Sequence, residues 1–181
     1  MPPPPTSVDV VRTHLEMRHV AALKRSRPPS EDARIEPWPD ITASQYRDVY
    51  RRVGERWYWR DRLAMADANL DDYLAREGVH VWSLRVDEDV AGFFELQRYD
   101  DARVEIMYFG LAPDYIGRGL GGWMLTRATE EAFALNPSHV TVHTCTLDNP
   151  HALPNYLARG FTISHEERYV AQLPSPTVAP E

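Results

Sequence analysis

The sequence predicts an α/β (α+β) domain: a mixed, mostly antiparallel sheet flanked by helices, with one parallel strand pair. Three observations carry this expectation. The runs "VHVWSLRV", "VAGFFELQRY" and "ARVEIMYFGLA" are separated only by the short acidic turns "DED" and "DD", which is the pattern of an antiparallel meander. From Thr42 the period becomes helical, with Tyr46, Val49, Tyr50, Val53 and Trp57 recurring three or four residues apart. Gly117, Gly119, Gly121 and Gly122 then stand between the third run and a helix that leads to a further strand, "HVTVHTCTL", and a strand-helix-strand crossover makes its two strands parallel neighbours.

The elements follow in order. Residues 1–7, "MPPPPTS", read as a disordered polyproline-like tail, residues 8–171 as a single domain, and residues 172–181 as a flexible C-terminal tail. "VDVVRTHLEMRHVAAL" reads as a first strand, and "RPPSEDARIEPWPDIT" as a proline-rich connection with no element of its own. After the helix at Thr42, "MADANLDDYLAREG" is a shorter one with Asp67 as N-cap and Gly78 as its stop. The helix beyond the glycine turn shows Leu120, Trp123, Met124, Ala128, Ala132 and Leu135 on one face and ends at Asn136-Pro137. "NPHALPNYLARG" is a last helix, with Asn149 as cap and Pro150 at its first position, before a final strand "FTISHEERYVAQL".

Composition narrows the function. Hydrophobic residues make up 43% of the 181 residues, enough for a core, and the net charge of -7 argues against nonspecific nucleic-acid binding, which needs a basic surface. No run approaches the ~20 apolar residues of a membrane span and no basic, apolar leader opens the chain, so no membrane partner and cytoplasmic residence are expected. The single cysteine, Cys145, offers neither an internal disulfide nor metal-site spacing.

Gly117, Gly119 and Gly122 satisfy G-x-G-x-x-G, the dinucleotide fingerprint. Its context is wrong: a meander precedes it and no acid follows about 20 residues on. No Gly-Lys-Ser/Thr follows for a Walker loop. Physically, the glycines allow successive N–H groups to face one concavity at the positive end of a helix, a site suited to a diphosphate, with Arg118 either adding charge or solvated. A tight bend with no ligand is the bland alternative.

At this point the sequence resembles the GNAT N-acetyltransferase superfamily. Its acetyl-CoA motif, Gln/Arg-x-x-Gly-x-Gly/Ala, is matched by Ile116, Gly119 and Gly121 after "LAP", with Ile116 departing from the usual Gln or Arg. Downstream, Asn149, Ala152, Tyr156, Gly160 and Phe161 match Asn-x-x-Ala-x-x-x-Tyr followed by Gly-Phe. The resemblance covers about residues 78–168. It implies a GNAT-like fold with its parallel pair at the acetyl-CoA site, acetyl-CoA as co-substrate without a metal, and an N-acetyltransferase acting on a primary amine of a small molecule or amino acid by direct transfer. A protein or peptide acetyltransferase and a catalytically silent acyl-CoA sensor are the alternatives. A homodimer is common in the superfamily.

The resemblance also implies roles. The amides from Gly117 through Arg118, Gly119, Leu120, Gly121 to Gly122 hold the pyrophosphate, Phe109, Gly110 and Leu111 the pantetheine arm, and Asn149 the arm or a water. Tyr156, two helical turns after Asn149 on one face, is the general acid; a core tyrosine is the alternative. Glu105 is the candidate base, with a pKa raised among Val104, Ile106 and Met107, or else a residue paired with Arg98 or Arg103. His143 and Cys145 share a strand face and read as packing or lining, with a nucleophilic pair less favoured; His139 and His143 are about 13 Å apart on a strand, too far to share a metal. In "RRVGERWYWRDR", Trp57, Tyr58 and Trp59 line an acceptor pocket with an arginine reading an acid, or form a buried face with Arg51, Arg52, Arg56, Arg60 and Arg62 solvated or paired to Asp48, Glu55 and Asp61.

Overall fold

The computed structural model describes residues 6–173. Its strands are β1 (Thr6–Met17), β2 (Ala33–Pro37), β3 (Val79–Val86), β4 (Asp89–Arg98), β5 (Val104–Leu111), β6 (Val140–Cys145) and β7 (Thr162–Leu173), and its helices are α1 (Ala43–Gly54), α2 (Asp67–Leu74), α3 (Leu120–Ala134) and α4 (Ala152–Ala158). The strands form one sheet in the order β2-β3-β4-β5-β6-β1-β7, antiparallel throughout except for β5 beside β6. Among the described residues no helix is long and apolar enough to cross a membrane.

Two helical layers cover the two faces of this sheet. Thr42 caps α1 through a reciprocal capping box with Gln45, and Tyr46, Val49, Tyr50 and Val53 turn inward with α2's Leu70 and Tyr73 against Val79, Val81 and Phe93. The opposite face packs Leu120, Met124, Leu125, Ala128 and Ala132 of α3 over Leu84, Phe94, Val104, Ile106, Val140 and Val142. Each large side chain so covered contributes roughly 1.5–3 kcal/mol of hydrophobic stabilisation.

The mixed sheet and its parallel pair are as the sequence predicts, with local corrections. The proline-rich connection contains a strand: Ala33–Pro37 pairs with β3. It lies at the sheet's edge, where Pro37 has no ladder bond to withhold. Thr6 and Ser7, and likewise Gln172 and Leu173, read as tail, belong to β1 and β7 and pair with each other; residues 1–5 and 174–181 of the expected tails lie outside the described residues. The N-cap of α2 is Ala66, not Asp67, which occupies the first helical position. Gly78 is the last turn residue before β3, where a Cβ would lie 2.7 Å from the Arg98 carbonyl. Asn149 does not cap α4: its Oδ1 accepts the His151 N–H at 2.9 Å and the helix starts at Ala152. An Asx turn has taken the place of the cap.

Candidate functional site

The site begins where the parallel pair ends. β5 and β6 pair only at Val104↔Val140, Glu105↔Thr141 and Ile106↔Val142. The next residue, Met107, is the extra residue of a bulge, since Leu96 of β4 faces Ile106 while Glu95 faces Tyr108. A bulge bends its strand, and from here β5 follows β4 alone. The two strands fork around a cavity of about 760 Å³.

Below the fork lies the glycine turn. Gly117 and Gly119 hold φ of +85° and +79°, and no atom lies within 4 Å of where either Cβ would be. This left-handed backbone is open to glycine at little cost and delivers the chain into α3, whose first N–H groups have no intrahelical acceptor. Gly121 and Gly122 line the cavity there, so the residues present fit a bound diphosphate. Ile116 also lines it and supplies only an apolar surface where the motif has a polar side chain.

Of the residues expected to bind the cofactor, Phe109, Gly110, Leu111, Gly117, Gly121, Gly122 and Asn149 border this one cavity. Gly110 is required sterically, because a Cβ would lie 2.5 Å from Val53 Cγ1 of α1. Arg118, Gly119 and Leu120 are not on its wall. The guanidinium of Arg118 pairs with Glu31 and sits 4.7 Å from the Tyr115 ring centre, tied to the segment before β2. Leu120 is wholly buried under the sheet.

Tyr156 borders the same cavity, 5% exposed, with its ring edge-on to Phe109 and Phe161. Burial, and secondarily Asp148, pushes its hydroxyl well above the usual tyrosine range, so the group stays protonated at neutral pH. Asn149 borders it from the loop rather than from the same helix face.

Glu105 departs from expectation. Its carboxylate accepts from Arg103 Nη1 at 2.9 Å and from the Tyr99 hydroxyl at 3.0 Å, and lies 3.0 Å from His143 Nδ1. Burial raises its pKa, but the donors His143, Arg103 and Tyr99 together outweigh it, and the net shift is downward, not upward. Its side chain is 13% exposed and is not part of the cavity wall; His143 is.

Around the mouth, Trp57, Tyr58, Trp59, Arg60 and Asp61 line the cavity. Trp59 Nε1 donates to Asp148 at 3.3 Å across it, and Tyr108 donates to Asp61 at 3.1 Å. Arg51 meets Asp48 at 3.7 Å, but Arg52 pairs with Asp89 and Arg62 with Glu95 rather than with Glu55 or Asp61. Cys145 faces the cavity beside His143, its thiol pKa pushed up by burial. Among the described residues no three His, Cys, Asp or Glu side chains gather as a metal site. Arg12, Asp148 and Tyr169 also border the cavity and were not foreseen. Arg12 reaches it because β1 inserts between β6 and β7, a pairing no local signal announces.

A sheet whose two middle strands part above a glycine-turned helix start is a scaffold for threading an extended ligand from one face to the other. Residues 38–161 match the acetyltransferase (GNAT) family. The chain belongs to the GNAT acetyltransferase family. It resembles a GCN5-related N-acetyltransferase from Kribbella flavida, at 13% identity and TM-score 0.64 over 95% of this chain and 62% of the other. A Bacillus subtilis acetyltransferase in complex with CoA is similar at 21% identity and TM-score 0.57, over 74% of this chain and 79% of that one. An aminoglycoside acetyltransferase from an uncultured soil metagenomic sample, in complex with trehalose, is similar at 13% identity and TM-score 0.58, over 70% and 86%. The chain spans between about half and three fifths of the length of several structures it matches, and no curated protein matches it in sequence.

Proposed function

We propose that the protein transfers an acetyl group from acetyl-CoA to the primary amine of a small molecule or amino acid, directly and in the cytoplasm. The fork of β5 and β6 above the glycine turn carries this reading. Its amides suit the pyrophosphate, and the backbone of Phe109 to Leu111, freed from β6 beyond Ile106, has N–H and C=O groups for a pantetheine arm. The related CoA-bound acetyltransferase from Bacillus subtilis agrees with that donor. A cavity of about 760 Å³ walled by Tyr50, Trp57, Trp59 and Tyr108 has the volume of a small-ligand site and favours a compact acceptor over a peptide.

Each step then has a residue. The amine, once deprotonated, attacks the thioester carbonyl, and backbone N–H groups of the free β5 edge are placed to stabilise the developing oxyanion. Tyr156, kept neutral by burial, donates its proton to the departing thiolate. The aromatic wall and the Trp59–Asp148 bridge shield the reacting atoms from water.

The test is thiol release from acetyl-CoA against a panel of amines, amino acids and peptides, with products identified by mass spectrometry. Acetylated small amines support the reading. Acetylation of peptides alone would replace the acceptor class, and acetyl-CoA binding with no acetylated product would replace catalysis with sensing.

A further inference from the structure

We infer that His143 is the base that takes the proton from the acceptor's ammonium group, and that Glu105 is the positioning residue that fixes its ring. This rests on the acetyl-transfer reading above. His143 is the first residue of β6 past the last parallel pair, Ile106↔Val142, so its side chain stands at the crotch of the fork. Alternation along β6 sends Val140 and Val142 into the core under α3 and sets Thr141, His143 and Cys145, half-buried, on the opposite face.

The hydrogen bonds assign the tautomer. Glu105 Oε2 is occupied by Arg103 and Tyr99, and Oε1 lies 3.0 Å from His143 Nδ1. A carboxylate surrounded by donors can only accept, so Nδ1 carries a hydrogen and, in the neutral ring, the lone pair is on Nε2. Glu105 itself is unsuited to the task, being off the cavity wall with its oxygens engaged. Other charged groups near the ring come from every side. Glu105 with Arg103 and Tyr99 lies on β5 and the turn before it. His14 of β1 has its ring centre 5.6 Å away, backed by Glu167, which also holds Arg12, while His165 of β7 stacks on His14 and Cys145 follows on the same strand.

Position separates the two proton transfers. Tyr156 belongs to the core layer under α3, and His143 to the other face, so the acid and the base flank the fork from opposite sides. The bookkeeping of protons then closes. Nε2 takes one proton from the ammonium, the amine lone pair forms the C–N bond, and the C–S bond breaks. The thiolate takes the Tyr156 proton, the tyrosinate recovers one from the nitrogen of the new amide, and the imidazolium releases its proton to solvent. One ammonium group and one thioester become one amide, one thiol and one proton.

The experiment compares wild type, His143→Gln, His143→Ala, Glu105→Gln and Glu105→Asp with an acceptor found in the panel. His143→Gln should lower kcat/KM about 100-fold, the usual range for a lost acid-base group, and abolish the acid limb of its pH profile. Acetyl-CoA affinity by calorimetry should hold, and added imidazole should restore turnover to His143→Ala. Glu105→Gln should lower kcat with little change in acceptor KM, and Glu105→Asp should recover part of it. An active wild type whose His143→Gln variant keeps its kcat/KM and acid limb, or a His143→Ala variant that folds and is untouched by imidazole, overturns the assignment. A wild type that neither binds acetyl-CoA nor acetylates any acceptor overturns the functional reading itself, and the base assignment with it.

Discussion

Glu95 on β4 and Glu105 on β5 are carboxylates turned toward the same face of the sheet, the first wholly buried and the second 13% exposed, yet the chain uses them oppositely. Glu95 is wholly buried and receives Arg62 Nη2 at 2.8 Å together with the hydroxyls of Tyr46 and Tyr73, all from the α1/α2 layer. Arg62 is itself 11% exposed and stacks 4.0 Å from the Tyr73 ring centre; burial lowers its pKa, but Glu95 and the tyrosines more than reverse this. The network is closed, and its work is to lock two helices to the sheet. Glu105 has the same number of donors, but one of them, His143, opens onto the cavity. Burial alone therefore does not separate a structural acid from a functional one; the destination of its last hydrogen bond does.

Four measurements can break or sharpen this contrast. The largest effect belongs to Glu95→Ala, which strands Arg62 and should cost about 3–5 kcal/mol in equilibrium unfolding, the range for orphaning a buried charge. A loss similar to that of a surface substitution would show the network to be dispensable. Next, Tyr156→Phe removes a hydroxyl that belongs to neither network, and should lower kcat about 100-fold with acetyl-CoA binding retained. Unchanged turnover would remove the acid role. Third, Glu105→Gln should shift stability by no more than about 1 kcal/mol, because Arg103 and His143 keep access to water. A loss as large as that of Glu95→Ala would make the two sites equivalent.

The smallest effect is one of pH. The folded pKa of Glu105 is depressed below its ordinary value of 4.5. Its contribution to stability is thus fully present above that value and is lost as pH falls below it, through the depressed folded value. Urea midpoints measured downward from pH 5 should fall less steeply for Glu105→Gln than for wild type.

Much of this was legible in the sequence. The meander, the glycine turn and the crossover helix announce themselves through local patterns, and seven of the expected cofactor-binding residues meet at one cavity. What was not legible depends on contacts distant in sequence. β2 hides among prolines because an edge strand tolerates them. The lowered pKa of Glu105 needs His143, 38 residues away, and apolar neighbours in sequence suggested the wrong sign. Glu95 passed unnoticed inside "GFFELQ", since its partners Tyr46, Arg62 and Tyr73 come from the preceding helical region.

The bulge at Met107 also resets the parity of β5. Val104 and Ile106 pack toward α3, and simple alternation would send Tyr108 and Gly110 after them; instead Phe109 and Leu111 take that side, while Tyr108 packs with the α1 layer and Gly110 meets Val53. Were the bulge ironed out with Met107 kept in regular pairing, the four residues from Tyr108 to Leu111 would turn inside out. Tyr108 would be driven toward Tyr156, and Phe109 toward Trp59. The chain's capacity to present one wall to a donor and another to an acceptor is thus written as an odd number of residues.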